Sequence, residues 1–548
     1  MPTGRFSTDR PGRWPGRRPG RRLGRRSGPR SGALLCEAAR AVADVPALVC
    51  FRAAAVRGRS RRLVVMAFAL LVVLTVAAGW APAHLPGAGG SPLPGGAPSR
   101  LTSFEIALLL PSLYLGALAI AVIAAASAGG GRELLPRELG VAYPVSPTTD
   151  HLGALLMAPL NIAWLLQAWL ALAATAFALG PDNLLAVQLP VLLWLAVATA
   201  AAQLIGWAIE WLRRGPHGLW LVRGLGALLA VGGGWLIATD RFVPALDRSP
   251  TLEVLLVALD GAQGHWADWA KGLGTLAFGG LVVIVAGAFV AHALARRPVL
   301  EETRMESWVR ERRPDPTSDL AALIRVDRAG VWRAVPLRRG FAVLALLPGL
   351  VALASRLEWH MLTILPGLVA SGATLLFGVN AWALDARGAL WRETLPVPPR
   401  LVFASRALVL TEVLAAATGL TLVMASLRTA APPTAAELVA VLCATVVVIL
   451  QVVSGSMRWS VSRPFAVDLR SARATPAPPL TMVGYSTRLA LVTTLTAVLF
   501  AATAQMSWQL SLVLAVPFLL VSGLRLARTA AAWSTPQTRS RVVTTVAA

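Results

Sequence analysis

Apolar runs with few charges recur along the whole of this sequence. A helix needs about 20 apolar residues to cross the hydrocarbon core of a bilayer, which is about 30 Å thick. Charged residues make up only 14% of the chain, whereas soluble proteins carry about a quarter. The sequence therefore predicts an all-α, polytopic membrane protein.

The apolar runs predict about 12 transmembrane helices. Their approximate bounds are 63–83, 104–128, 152–179, 184–209, 219–238, 273–294, 341–357, 361–384, 401–427, 436–456, 485–504 and 508–526. The flanking segments are predicted to be a disordered Arg-rich tail (1–32), an amphipathic interfacial helix (33–62), a basic linker with a second interfacial helix (296–339) and a tail (528–548). In the linker, Ser318 is the expected N-cap of that helix, and Asp319 suits its positive end.

Basic residues are distributed unevenly between the two sides of the predicted membrane. The chain carries 51 basic and 27 acidic residues, a formal net charge of +24. With the first residues in the cytoplasm, the basic residues concentrate in the tails and in every second loop, as the positive-inside rule requires. This alternation predicts a multi-pass protein of a bacterial inner membrane with both termini cytoplasmic. It also explains the charge without nucleic acid, so membrane lipids are the expected partner of the basic tail.

Two charged segments interrupt the apolar runs in the same way. The first elbow (residues 129–150) and the second elbow (residues 385–400) each contain an Arg-Glu pair and then a proline turn. Pro396 follows Pro144 by 396 − 144 = 252 residues, which is close to half of the chain. Such a period indicates two copies of one unit. Adding this offset to the fourth span (184–209) gives 436–461, which overlaps the tenth span. This predicts a parallel repeat of six plus six spans, with halves at 63–295 and 340–527.

The usual motifs of enzymes are missing from the sequence. A P-loop needs a lysine after its glycines, and the one lysine of the chain, Lys271, is not part of such a motif. No zinc-protease or serine-hydrolase motif occurs, and the three cysteines form no metal-binding pair. We therefore predict a chain that is not an enzyme, with no catalytic residue, no metal and no cofactor of its own.

Each elbow has two interpretations. Prolines end helices, so each turn need do no more than end one helix and start the next span. The duplication favours a second interpretation, in which the elbows are a matched pair of cytoplasmic contacts for a symmetric partner. The residues that would make these contacts are Arg137, Glu138, Tyr143, Pro144, Val145, Ser146, Pro147, Arg392, Glu393, Leu395, Pro396, Val397, Pro398 and Pro399.

The layout of each half resembles the type-2 ABC exporter permeases. That family has an amphipathic helix before its first span and a short cytoplasmic helix ending in an L-P-V-S-P-like turn between its second and third spans. Residues 143–147 and 395–399 are similar to this turn, with Tyr143 in place of the leucine and Pro398 in place of the serine. The resemblance implies a tandem fusion of two permease halves that exports an amphipathic or lipid-like molecule. It also implies a separate ATPase, acting as a dimer and carrying ATP and Mg²⁺, that docks on both elbows.

Two polar residues are predicted inside spans. Glu412 lies within the ninth span, and the repeat offset places Asn161 of the third span at nearly the same depth. A charged side chain at the centre of a membrane helix costs about 2.5–3.5 kcal/mol on insertion scales. One interpretation is that both residues line a transport pathway. The alternative is an interhelical hydrogen bond with a protonated or paired carboxyl.

Two other functions stay open from the sequence. An ion-driven secondary transporter would also contain repeats, but it is expected to carry charged relays and broken helices near the midplane of the membrane. A non-transporting membrane scaffold would need only the spans and the basic tail. Assembly into a homo-oligomer is compatible with each of these functions.

Overall fold

A computed structural model describes residues 37, 39–48, 50, 59–90, 102–127, 145–160, 162–241, 244–245, 248–297, 314, 316–374, 378–385, 388–429, 431–466 and 479–547. These residues form helices and short connections, and no strand occurs among them. The predicted all-α class is confirmed. The predicted tail at 1–32 lies outside the described residues.

The helices follow one another with short connections. They are α1 (Arg59–Trp80), α2 (Ser103–Ser127), α3 (Pro147–Met157), α4 (Ile162–Leu179), α5 (Leu184–Arg213), α6 (Gly218–Ala238), α7 (Thr251–Gln263), α8 (Trp266–Ala295), α9 (Asp319–Arg333), α10 (Val335–Ser355), α11 (Leu365–Thr374), α12 (Gly388–Glu393), α13 (Pro399–Ser426), α14 (Ala435–Ser462), α15 (Pro479–Ala504), α16 (Trp508–Ser534) and α17 (Pro536–Ala547). Short 3-10 helices lie at Ala81–His84, Ala88–Gly90, Ala158–Leu160, Trp359–Ile364 and Gly378–Leu384. As predicted, Ser318 caps α9, because its side chain accepts a hydrogen bond from the N–H of Ala321 at 3.3 Å.

Nine helical stretches in the described part of the chain are long and apolar enough to cross a membrane. They are Phe68–Gly90, Ser103–Ile123, Leu184–Arg213, Trp220–Ala238, Trp266–Ala295, Pro399–Ser426, Ala435–Ser462, Gly484–Ala504 and Trp508–Ser534. Helices satisfy their own backbone hydrogen bonds, which is what a lipid environment requires. The chain is therefore a multi-pass membrane protein.

The other three predicted spans coincide with shorter or broken helices. The third corresponds to Trp164–Leu179 and the seventh to Gly340–Ser355. The eighth corresponds to two pieces, Trp359–Ala373 and Gly378–Leu384, whose axes differ by 41°. Before the third span, Pro159 interrupts the helix because proline donates no backbone hydrogen bond. By length alone, the described helices give nine spans, or ten if the bent pair counts as one.

The first helical bundle is centred on α5. This helix packs against α2, α4, α7 and α8, and its Trp194 and Leu195 are buried in the core. The Trp194 indole N–H donates to the carbonyl of Tyr114 at 3.1 Å, and the Tyr114 hydroxyl lies 2.7 Å from that of Thr175. Hydrogen bonds between helices, added to close packing, are the usual means of holding membrane helices together.

The second helical bundle is centred on α14. This helix packs against α11, α13, α15 and α16, and its Val448, Val452 and Met457 are fully buried. The hydroxyls of Ser456 and Tyr485 lie 2.5 Å apart and join α14 to α15. In the described part of the chain, each hydrophobic core cluster draws its residues from one bundle only. The two bundles therefore have separate cores, and they meet where α2 packs against α10.

Some helix contacts of the two bundles can be compared. In the first, α4 packs on α1, α2 and α5, and α5 packs on α2 and α8. In the second, α13 packs on α10, α11 and α14, and α14 packs on α11 and α16. The helices after the two elbows, α3 and α13, begin at Pro147 and Pro399.

Both ends of the described chain are helical. Residues 39–48 lie within the predicted interfacial helix at 33–62, and Ala41 and Val45, one turn apart, are buried. At the other end α16 runs on to Ser534, past the predicted span end near 526, and α17 follows it. Three valines of α17, Val542, Val543 and Val546, are buried in the core of the second bundle. Residues 536–547 of the predicted tail are thus helical, and these three valines pack against the second bundle.

Candidate functional site

The second elbow is a proline turn between two helical segments. The short helix of this elbow is α12. In the turn after α12, the N–H of Val397 donates a hydrogen bond to the carbonyl of Leu395 at 2.8 Å. Pro398 is the N-cap residue of α13, and Pro399 is the first residue of that helix. Proline suits this position, because the first N–H groups of a helix have no partner within it. The prolines restrict the backbone at the base of α13.

A buried ion network, formed by Asp327, Asp385, Arg392 and Arg406, holds the second elbow to its bundle. Arg392 of α12 donates to Asp327 of α9 at 2.8 Å and to Asp385 at 2.9 Å. Arg406 of α13 donates to Asp385 at 2.7 Å and lies 3.1 Å from Asp327. Two cations balance two anions, and the Arg406 side chain is fully buried. The network joins α9, α12 and α13 at one point.

Two members of this network, Asp327 and Arg392, have pKa values that favour their charged forms. Burial alone would raise the pKa of the Asp327 carboxyl. Arg406, Arg392 and a hydrogen bond from Ser405 at 2.9 Å outweigh burial, so this pKa lies below its usual value. The pKa of the Arg392 guanidinium is raised above its usual value, because its two aspartate partners outweigh the effect of its burial. Asp327 and Arg392 therefore stay ionised over the physiological pH range.

Aromatic stacking attaches the second elbow to the last span. The rings of Trp382 and Trp533 are parallel to within 4°, with centroids 3.8 Å apart. The Trp533 indole N–H donates to the carbonyl of Pro399 at 3.2 Å. α17 then covers the elbow from the same side, and its Arg539 donates to Glu393 at 2.8 Å. The elbow is thus bound to α13, α16 and α17.

The opposite face of the second elbow is exposed and apolar. Trp391 is 78% exposed, Leu390 and Leu395 are each 51% exposed, and the neighbouring Pro396 is exposed as well. We call these four residues the apolar tip. Exposed apolar patches with a polar rim mark interaction sites, and tryptophan is among the residues that dominate the energy of protein interfaces. The apolar tip is therefore the candidate docking surface.

The predicted contact residues of the second elbow divide into two groups. Leu395 and Pro396 belong to the apolar tip, and Pro398 beside them is exposed. Arg392 and Glu393 form ion pairs within the chain instead. In this structure the Arg-Glu pair anchors the elbow, whereas the apolar residues face outward. Two further predicted contacts, Val397 and Pro399, are half-buried.

The described part of the first elbow begins at Val145. The Ser146 side chain caps α3 by accepting a hydrogen bond from the N–H of Thr149 at 3.1 Å, and Pro147 is the first residue of that helix. Both elbows therefore end at a helix that starts with proline, and α3 has a side-chain cap that α13 lacks. The other predicted contacts in this elbow lie outside the described residues; they are Arg137, Glu138, Tyr143 and Pro144.

A polar cluster links the first elbow to neighbouring segments. The hydroxyl of Thr148 on α3 lies 2.9 Å from Nε2 of His292 on α8. The same His292 nitrogen lies 3.0 Å from the Glu37 carboxylate, in the helical segment that precedes α1. The second bundle makes a comparable link, because Ser405 of α13 donates to Asp327 of α9. In both halves, the amphipathic segment before the bundle is bonded to the helix that follows the elbow.

Close packing at Gly287 holds α3 against α8. A Cβ at Gly287 would lie 2.4 Å from Cε1 of His151, a buried residue whose Nε2 is 3.1 Å from the carbonyl of Ile284. We expect Gly287→Ala to lower the free energy of unfolding by about 1–3 kcal/mol, the usual cost of overpacking. Gly279→Ala on the same helix is the matched control, because nothing lies within 4 Å of its Cβ position. Apparent melting temperatures in detergent test the difference; equal values for the two variants would contradict this packing.

Glu412 forms an ion pair on the surface of the second bundle. Arg328 of α9 donates to both of its carboxylate oxygens, at 2.8 and 2.5 Å. The Glu412 side chain is 43% exposed and the Arg328 side chain is 54% exposed. The geometry matches the paired carboxyl that the sequence left open as one alternative, and a role in a pathway stays a prediction. Asn161, its predicted counterpart, lies outside the described residues.

Because this pair is exposed, its contribution to stability should be small. Exposed ion pairs contribute about 0–1 kcal/mol. We therefore expect Arg328→Ala and Glu412→Gln each to change the free energy of unfolding by less than about 1 kcal/mol. A double-mutant cycle in detergent measures the coupling. A loss of several kcal/mol from either single variant would show that the pair is buried in the membrane-embedded protein.

Two residues of the buried ion network, Asp327 and Arg406, lie outside the predicted motifs. The signal for Arg406 is its place inside the apolar run 401–427, where a charge is costly without a partner. No sequence signal points to Asp327 as that partner, because the two residues are brought together by the packing of α9 on α13. Trp391 lies within the second elbow, but only its exposure distinguishes it.

Neither a metal site nor a known relative identifies this elbow region. In the part of the chain that the structure describes, no group of three or more His, Cys, Asp or Glu side chains is placed to hold a metal ion. No protein-family model, no curated protein and no solved structure matches the chain. Function therefore has to be inferred from the geometry of the elbows and the bundles.

Proposed function

We propose that this protein is the membrane permease of an ATP-driven exporter of the type-2 ABC class, built as a tandem fusion of two halves. It would couple a separate ATPase to the efflux of an amphipathic or lipid-like molecule. The observation that carries the proposal is the apolar tip, an exposed surface on an elbow that is bound to both α13 and α16. Force applied at this tip would reach two membrane helices directly.

The repeated helix contacts support a parallel repeat of six plus six spans. The α4 and α5 contacts of the first bundle have equivalents at α13 and α14 of the second. Pro147 and Pro399, which start the helices after the elbows, are separated by the same offset as Pro144 and Pro396. A 12-span count requires α4, α10 and the bent pair that contains α11 to cross as well.

The length of α13 supports a position of the apolar tip outside the hydrocarbon. A helix of 28 residues is about 42 Å long, whereas the hydrocarbon core is about 30 Å thick. The difference leaves about 12 Å of α13 outside the hydrocarbon. The charged Arg406, near the start of α13, favours the elbow side for this excess. The distribution of basic residues supports a cytoplasmic location for that side and for both termini, in a bacterial inner membrane.

A photo-crosslinking amino acid at position 391 tests the proposal in native membranes. The expected adduct is a separate protein that carries a P-loop, because the tip is the proposed ATPase contact. The same protein should be captured from position 395. Position 506 is the matched control, because Met506 is an equally exposed apolar residue, 70% accessible, between α15 and α16 at the far end of the bundle.

Two outcomes would contradict the proposal. Adducts with lipid alone from positions 391 and 395 would show that the tip lies in the membrane surface. Transport by the purified chain in vesicles, driven by a proton gradient and independent of any ATPase, would favour an ion-driven secondary transporter instead.

A further inference from the structure

Helix α6 lies apart from its own bundle. Its counterpart in the second half, α15, packs against α11, α14 and α16 and buries Phe500 and Ala497. By contrast, α6 packs on α5 and leaves large side chains such as Leu228 and Val231 about 70% exposed. A Cβ added at Gly233 would have open space within 4 Å. Within its own bundle, α6 is therefore loosely held.

The far end of α6 is bound to the other half of the chain. Asp240, just after α6, accepts hydrogen bonds from Arg428 at 2.7 Å and from Arg356 at 2.9 Å. Arg428 also donates to the carbonyl of Ile237 in the last turn of α6. We call Asp240, Arg356 and Arg428 the outer ion cluster. It joins the first bundle to the second across an interface that has no shared hydrophobic core in the described residues.

The outer ion cluster neutralises helix ends as well as a carboxylate. α6, α10 and α13 end at Ala238, Ser355 and Ser426, so three negative helix ends meet here with the Asp240 carboxylate. Two arginines offset this negative charge. The hydrogen bond from Arg428, with the charges of both arginines, holds the pKa of the Asp240 carboxyl below its usual value, so Asp240 is ionised at neutral pH.

This cluster differs from the buried ion network in its access to water. Asp240 is 65% and Arg356 is 55% exposed, whereas Arg406 and Asp327 are almost completely buried. Water and salt screen exposed ion pairs, so they break and re-form easily. The buried network is suited to hold a fixed shape, and the exposed cluster is suited to a contact that opens. It lies at the end of α13 opposite the second elbow, about 42 Å away along the helix.

We propose that the outer ion cluster is a gate that closes the interface between the two halves at the membrane face opposite the elbows. Its opening would release α6 from the second bundle and separate the outer ends of the two halves. The closed state of the gate is inferred from the hydrogen bonds of Arg356 and Arg428 described above. Its opening during transport rests on the proposed exporter function. An ATPase acting at the elbows would then open the gate from the other end of α13.

The gate can be tested without an ATPase by measuring a distance between the halves. Spin labels at Leu185→Cys and Leu438→Cys, both exposed near the outer starts of α5 and α14, report the separation of the bundles in full-length protein. The native cysteines Cys36, Cys50 and Cys443 are first replaced by serine. We expect Asp240→Asn to shift the distance distribution to longer values and to broaden it.

Two further measurements keep the test independent of one variant. The pair Arg356→Gln with Arg428→Gln should give the same shift as Asp240→Asn. Salt at 1 M, which shortens the screening length to about 3 Å, should move the unaltered protein in the same direction. Arg241→Gln is the matched control, because this neighbouring arginine stacks on Trp235 and is outside the cluster. Distributions unchanged by both sets of substitutions and by salt would overturn the proposal.

Opening of the gate is tested separately, with the same distance measurement in the presence of the ATPase. In the complex with its ATPase, ATP should lengthen the same distance. A distance that ATP leaves unchanged, in a complex whose ATPase activity is stimulated normally, would overturn the gate and leave the proposed exporter function standing. Variants that shift the distance in a chain that recruits no ATPase would support the closed contact and contradict the exporter.

Discussion

Replacing Arg406 with methionine should lower the free energy of unfolding by about 3–5 kcal/mol, because removing one partner of a buried ion pair leaves the other charge uncompensated. Methionine keeps most of the side-chain length, so the loss comes mainly from the charge. Asp327 and Asp385 would be left with Arg392 as their remaining cation. For a bundle of this size, the apparent melting temperature should fall by on the order of 10 °C.

Fluorescence-monitored thermal unfolding in detergent measures this effect. Arg328→Met is the matched control, since it removes an arginine whose carboxylate partner is exposed. Adding Asp327→Asn to Arg406→Met should recover part of the lost stability, because it removes the one negative charge that Arg392 leaves uncompensated. A melting temperature for Arg406→Met within a degree or two of the control would contradict the buried network.

Replacing Trp391 with glutamate should weaken ATPase binding by about 30-fold or more, because loss of an interface hot spot costs about 2 kcal/mol or more. The substitution puts a charge on the apolar tip, whereas the Trp391 side chain is 78% exposed and so contributes little to the packing of the fold. Binding is measured with the P-loop protein captured at position 391, using purified components in detergent. ATPase stimulation by the variant should fall in parallel.

Met506→Glu is the control for this prediction. It places the same charge at an equally exposed apolar residue at the other end of the bundle, and it should leave ATPase binding unchanged. Unaltered melting temperatures for both variants would show that the fold is intact. Full ATPase stimulation with Trp391→Glu and Leu395→Glu combined would contradict docking on the second elbow.

Periodicity and helix signals predicted much of the fold. The Ser318 cap of α9, for example, depends on residues within one turn of each other. Such features can be read locally, because a cap and a proline-started helix follow from the backbone conformations that these residues allow. The apolar runs likewise predicted the nine long spans, since each run has to bury its own backbone hydrogen bonds in lipid.

Features set by contacts between distant segments could not be predicted in this way. The ion pair of Asp327 with Arg406 joins α9 to α13. The stack of Trp382 on Trp533 joins two residues that are separated in the sequence by four helices, α12 to α15. From the sequence, the residues of α17 were predicted to be a tail, because its three buried valines are too few to form an apolar run. The sequence also offers no signal that α6 lies apart from its bundle, since its composition matches that of any membrane span.

We propose that both elbows lie at the cytoplasmic face of this two-bundle membrane protein. Single cysteines at Tyr143→Cys and Thr394→Cys, one in each elbow, can be labelled with a membrane-impermeant maleimide in a chain without its native cysteines. We expect labelling of both in inside-out vesicles and of neither in intact cells, with the reverse pattern for Met506→Cys. Labelling of either elbow from the outside of intact cells would contradict the account.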